Sequence, residues 1–222
     1  MPRFNAVILD VDSTVSALEG IDWLAQRRGA DVAARVAEAT ERAMRGEIAL
    51  DAVYGERLAL VRPGRDDLAA LAAAYQAAVV PGAAEAVARL RDAGVRVALV
   101  SGGVRQAILP LARTLGVDLR DVHAVDVVVD MGGGYFAYDA GSPLATQHGK
   151  RAVADAMVAG TLGAPPLPRP VLAMGDGATD LAMKPAVDAF AAFTGVARRD
   201  AVVRGADHVL DSFDALAELV LA

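Results

Sequence analysis

Three short aliphatic runs punctuate the chain, and each ends in small or acidic residues. Residues 6–9 lead into Asp10-Val11-Asp12, residues 95–100 into Ser101-Gly102-Gly103, and residues 171–174 into Gly175-Asp176-Gly177. Runs this short, bounded by turn residues, suit strands buried on both faces of a parallel sheet. A helical pattern over residues 83–93 precedes the second run, and Gly94 is placed to stop it. Strand and helix in alternation predict right-handed crossovers and an open α/β sheet. Ligands of such sheets bind beyond the carboxyl ends of the strands. The polar residues after all three runs are therefore expected to meet at one crevice.

The texture changes over residues 15–80, where Ala, Arg and Glu dominate and apolar residues recur at helical spacing: Ile21, Leu24, Val32 and Val36, then Val53, Leu58 and Val61, then Leu68 and Leu71. Gly29, Gly46 and Pro63-Gly64 interrupt the pattern, which predicts a helical lid over the crevice. The partition that follows is a core of residues 1–14 and 80–222 and an inserted helical cap of 15–79. Two β-rich runs around Gly132-Gly133-Gly134, within residues 125–139, predict a small hairpin flap. The prolines between Pro165 and Pro170 mark a stiff loop leading into the third strand.

The 222 residues suit one core carrying an insertion. Hydrophobic residues make up 55% and aromatics 5%, a composition for Ala-rich helices on aliphatic strands and against an aromatic nucleic-acid platform. A net charge of −6 argues against nucleic acid or an anionic membrane as partner. An anionic substrate must then be captured by local groups. The absence of cysteine excludes disulfides and thiolate metal sites and is compatible with a cytoplasmic location. Asp10 and Asp12 cut the N-terminal apolar run short, so neither a signal peptide nor a membrane span is expected.

Asp10 and Asp12 form D-x-D. Two carboxylates this close repel, a strain that a hard cation such as Mg2+ relieves. One can serve as a nucleophile and the other as a general acid and base; the motif alone also fits a helix N-cap or an acidic loop. Ser101-Gly102-Gly103 can cradle phosphate with a hydroxyl and backbone N–H groups, although most such tripeptides are plain turns. Gly175-Asp176-Gly177-Ala178-Thr179-Asp180 adds two carboxylates at the same edge, without the third glycine of a dinucleotide fingerprint. Lys150, one of few lysines, supplies the cation that a phosphoryl group among aspartates requires. His123, His148 and His208 lack metal-site spacing.

In this order these elements resemble those of the haloacid-dehalogenase-like hydrolases, and within them the phosphoserine phosphatase family. The match runs from about Ala6 to Leu219. It includes Asp10 to Val15 with Glu19-Gly20-Ile21-Asp22, Thr40 to Gly46, Glu56 to Leu60, Ser101-Gly102-Gly103, Lys150 and Gly175 to Asp180. The resemblance implies a Rossmann-like core and Mg2+-dependent hydrolysis of a small phosphomonoester, O-phospho-L-serine, as the last step of serine synthesis. It implies that Asp10 becomes phosphorylated and that Asp12 is acid, then base. Asp10, Asp176 and the Asp12 backbone carbonyl would hold the metal, with Asp180 supporting. Ser101, Gly102, Gly103 and Lys150 would hold phosphoryl oxygens. Glu19 would read the substrate ammonium and Arg57 its carboxylate, with Met44, Gly46 and Thr179 lining the site and Arg199 supporting it. Gln147-His148 and Ala49-Leu50 depart from the family pattern, and Leu50 bears on the pocket. Related esters of homoserine or threonine, and a non-catalytic phospholigand-binding role, are the alternatives. A monomer or homodimer without membrane or nucleic-acid partners is the expected state.

Overall fold

A computed structural model describes residues 1–44 and 50–222. Its centre is a six-stranded, wholly parallel sheet of β1 (Ala6–Leu9), β2 (Arg96–Val104), β3 (Val122–Val125), β6 (Val171–Gly175), β7 (Ala189–Phe193) and β8 (His208–Leu210), in the order β3-β2-β1-β6-β7-β8. Strands β1, β6 and β7 are buried along their whole length. This explains why they read as unbroken apolar runs rather than as alternating ones. The chain moves outward from β1 through β2 to β3, then returns to the other side of β1 for β6. The strand order therefore switches between β1 and β6, where Leu9 pairs with Met174 on one side and with Leu99 on the other.

Helices α5 (Ala83–Asp92), α6 (Arg105–Leu115), α7 (Gly149–Ala159), α8 (Ala178–Leu181), α9 (Asp200–Gly205) and α10 (Phe213–Leu221) flank this sheet. Between β1 and α5 lie α1 (Gly20–Arg28), α2 (Ala30–Met44), α3 (Leu50–Val61) and α4 (Arg65–Ala77). The chain enters and leaves this segment side by side. Ser16 bridges Val79, the Ala17 N–H donates to the Ala78 carbonyl at 2.8 Å, and that of Val80 donates to Val15 at 3.0 Å. Leu24, Val36, Leu58, Leu71 and Tyr75 of these four helices are all essentially inaccessible and join one hydrophobic cluster with the residues of the sheet.

Two expectations need adjusting. The hairpin comprises β4 (Val127–Val129) and β5 (Tyr135–Tyr138), whereas Val125 ends the core strand β3. Likewise, Ser101-Gly102-Gly103 is not a turn after β2: the strand runs on to Val104, with a register shift against β3 between Val100 and Val104. An irregularity of this kind re-aims side chains without ending the pairing. Gly46 and the side chain of Met44, expected to shape the cap wall, lie outside the described residues, as does the side chain of Leu50.

Candidate active site

The site forms where the strand order switches. Asp10 follows β1 and is still in the ladder, its N–H donating to the Met174 carbonyl at 3.0 Å. Asp176 follows β6, and Asp180 sits on α8 just beyond it. Buried carboxylate oxygens of Asp10, Asp176 and Asp180 lie within 4.8 Å of one another. Lys150, near the start of α7 and itself buried, stands 2.6 Å from Asp10 Oδ1 and 2.6 Å from Asp180 Oδ1. The contact with Asp180 is a directed hydrogen bond. Asp10 Oδ1 and Asp176 Oδ2 have ionic neighbours but accept no well-directed hydrogen bond.

Burial pushes the Asp10 carboxyl well above its usual range, and the charge of Asp180 adds to the rise while Lys150 opposes it. Burial also disfavours the Lys150 ammonium, but the Asp10 and Asp180 carboxylates outweigh it and hold the amine above the ordinary lysine value. Of the three clustered carboxylates, Lys150 thus pairs with two. This donor set of oxygen ligands, two of them lacking hydrogen bonds, fits a hard divalent cation. Arg199, just before α9, reaches into the same place. Its guanidinium forms an ion pair with Asp176 and lies 3.8 Å from Glu19.

Asp12 points elsewhere, toward the helical segment. The D-x-D motif can split its two side chains because the chain leaves strand geometry after Leu9 and turns at Val11; it bends again at Ser13, whose φ of 53° is in the left-handed region that non-glycine residues seldom adopt. Asp12 Oδ1 accepts from the Gly20 N–H and from the Tyr75 hydroxyl, both at 2.7 Å, and Oδ2 accepts from the Ser101 hydroxyl at 3.0 Å. Ser101 Oγ in turn accepts from the Gly103 N–H at 2.8 Å. Glycine is required at 103, where a Cβ would stand 2.8 Å from Asp12 Oδ2. Ser101 is fully buried, whereas Gly102 and Gly103 face the cavity.

That cavity, of about 260 Å³, has Asp10, Lys150, Asp176 and Thr179 at its base, and Glu19, Tyr54 and Arg57 on the helical side. Glu19 accepts from the Ser13 hydroxyl at 2.7 Å, and burial followed by the Asp12 charge raises its pKa. Arg57 pairs with Asp22 at 2.8 Å. Its Nε is buried without a hydrogen-bond partner among the described residues. Tyr75 and Tyr54 are absent from the motif reading, and Thr14, 3.4 Å from Asp176, lies within the Asp10 to Val15 motif without an assigned role. The two tyrosines fall on helical faces that read as core filler, so only the three-dimensional arrangement reveals them.

A cluster of buried aspartates around one lysine, at the switch point of a parallel sheet, defines a class. The chain belongs to the haloacid dehalogenase-like hydrolases, whose family model matches residues 7–184. The relatives it resembles along its length are phosphoserine phosphatases. That of Rattus norvegicus is 37% identical over 97% of this chain and 93% of its own, and that of Homo sapiens 36% identical with the same coverage. Among solved structures, a phosphoserine phosphohydrolase-like protein from Francisella tularensis superposes with a TM-score of 0.82 over 97% of this chain and 99% of its own. At 24% identity, that likeness speaks for the fold.

Proposed function

We propose that this protein is a phosphoserine phosphatase, hydrolysing O-phospho-L-serine to L-serine and phosphate through a phosphoaspartate at Asp10. The observation that carries the reading is the joint lining of one cavity by Asp10, Lys150, Asp176, Glu19 and Arg57. These groups match a phosphate at one end of a small molecule and an ammonium and carboxylate at the other. The names of the full-length relatives support the same substrate.

In this reading a carboxylate oxygen of Asp10 attacks phosphorus and the ester P–O bond breaks. The departing serine oxygen takes a proton from Asp12. Two fixed donors, the Gly20 N–H and the buried Tyr75 hydroxyl, occupy Asp12 Oδ1. The Ser101 hydroxyl on Oδ2 can either donate or accept, so Oδ2 is the oxygen that carries the proton. As a carboxylate again, Asp12 takes a proton from water, whose oxygen attacks the phosphoaspartate and frees phosphate and Asp10. Lys150 and the Gly102 backbone hold the phosphoryl oxygens, the Gly103 N–H being already given to Ser101 Oγ, with Thr179 beside them and Asp180 orienting Lys150. Asp10, Asp176 and the Asp12 backbone carbonyl would hold Mg2+, which when bound offsets the negative charge shared by phosphate and carboxylates.

Residues 15–79 act as a cap on the core of 1–14 and 80–222, excluding bulk water from the phosphoaspartate. Among the described residues no helix is long and apolar enough to cross a membrane, and we place the protein in the cytoplasm. Phosphate release from O-phospho-L-serine, with and without Mg2+, tests the reading beside phosphothreonine, phosphoethanolamine and p-nitrophenyl phosphate. A Mg2+-dependent preference for the serine ester is the expected result. Equal rates on all four esters would remove the assigned roles of Glu19 and Arg57, and full activity in Asp10→Asn would remove the nucleophile.

A further inference from the structure

Tyr54 lines the cavity from α3, and no element of the mechanism uses it. The residue is 8% exposed, and its hydroxyl is buried with no hydrogen-bond partner among the described residues. A buried, unpaired hydroxyl in a folded protein calls for an explanation. Three positions further along the same helix, hence on the same face, Arg57 also lines this cavity and also carries a buried Nε without a hydrogen-bond partner among the described residues. Two orphaned donors, one O–H and one N–H, thus stand one turn apart on side chains of the cavity wall.

The ring is fixed as well as the hydroxyl. Tyr138 of β5 packs against it with centroids 5.4 Å apart and an interplanar angle of 55°, a favourable tilted arrangement. Gly55 makes room for this approach, since a Cβ there would come within 2.7 Å of the Tyr138 hydroxyl. Tyr54 is therefore held between the helical segment and the hairpin, with few rotamers left open. Burial raises its pKa, so the phenol remains a donor throughout the neutral range.

We infer that Tyr54 is a specificity-determining residue whose hydroxyl donates, beside Arg57, to the carboxylate of the substrate. The inference rests on the phosphoserine reading above and assigns a further contact within it. The ammonium is claimed by Glu19 and the phosphate by Lys150, which leaves the carboxylate as the acceptor for donors on α3. Discrimination then comes from both sides of the contact. A substrate with a carboxylate satisfies Tyr54 and Arg57 Nε, whereas one without it leaves both buried and unpaired, the condition under which sites reject analogues most strongly.

The test compares O-phospho-L-serine with phosphoethanolamine, the same skeleton without the carboxylate, in wild type and Tyr54→Phe. Phenylalanine keeps the ring against Tyr138 and removes only the donor. The ratio of kcat/KM for the serine ester to that for the ethanolamine ester should fall about tenfold, mostly through KM, as expected for one hydrogen bond to a charged group. A wild-type ratio retained in Tyr54→Phe overturns the role of Tyr54 while leaving phosphoserine as substrate. Equal loss on both esters, with a lowered Tm, makes Tyr54 a packing residue and also overturns it. A wild type that shows no preference for the serine ester overturns the substrate reading itself, and the role of Tyr54 with it.

Discussion

Lys150 is the ammonium between two buried carboxylates, 2.6 Å from each, with a third carboxylate within 4.8 Å of both. Replacing it with Met keeps the length of the side chain and removes the charge. Deleting one member of a buried ionic set leaves its partners uncompensated, at about 3–5 kcal/mol. For a chain of this size each kcal/mol moves Tm by roughly 2–4 °C, so metal-free Lys150→Met should unfold on the order of 10 °C below wild type. A divalent cation that binds the folded state restores stability by mass action. Added Mg2+ should therefore raise the variant's Tm more than that of wild type, because it takes over charge balance that Lys150 otherwise supplies. Activity should not follow: loss of a phosphoryl-binding cation lowers kcat by about 10²–10³ even with saturating metal. Thermal unfolding in EDTA and in Mg2+, paired with phosphate release, separates the two effects. If Lys150→Met unfolds at the wild-type temperature in EDTA, the three carboxylates do not share one electrostatic site.

Tyr75→Phe removes a buried donor to Asp12 and should destabilise the protein by about 1.5–3 kcal/mol; an unchanged Tm would mean that Asp12 does not lean on that hydroxyl. Gly103→Ala sets a methyl 2.8 Å from Asp12 Oδ2, and kcat should fall by roughly tenfold or more as the carboxylate is displaced. Wild-type kcat in this variant would refute the close approach. Burial lowers the pKa of His123, so the unfolded chain takes up its proton first. Its contribution to stability is whole above the unfolded value of about 6.5 and is lost as pH falls through the folded value. His123→Gln should flatten the decline in Tm from pH 7 to pH 5, and a decline identical to wild type would exclude His123 as its source.

The convergence of Asp10, Ser101 and Asp176 is legible in the sequence because it needs only strand order and the rule that ligands sit at strand ends. Three aliphatic runs supply both. The direction of each side chain is less legible. D-x-D does not reveal that Asp12 turns toward α1 and α4 while Asp10 stays with Lys150, since that depends on the turn at Val11 by which the chain leaves β1. Tyr75 follows Leu68, Leu71 and Ala72 at helical spacing, so its pattern is that of core; its hydroxyl meets Asp12 only because α4 crosses above the sheet edge. Arg199 comes from a segment without periodicity, and its pairing with Asp176 and Glu19 arises from where α9 begins. The strand character of Ser101 to Val104 is hidden because glycines and a serine score as turn formers, although burial on both sides keeps them in the sheet.

The bridge between Ser16 and Val79 gives the fold an evolutionary seam. The backbone departs and returns through one narrow gate, so everything between can be lengthened, shortened or exchanged without altering how any two strands meet. Joining ends that already touch adds little closure entropy whatever the length between them. The chemistry is nevertheless not confined to one side of that gate, because Gly20 and Tyr75 within the excursion hold the Oδ1 of Asp12 outside it. A lineage that rewrites the excursion to admit a new ester must keep those two donors, or give up the fixed Asp12 with them.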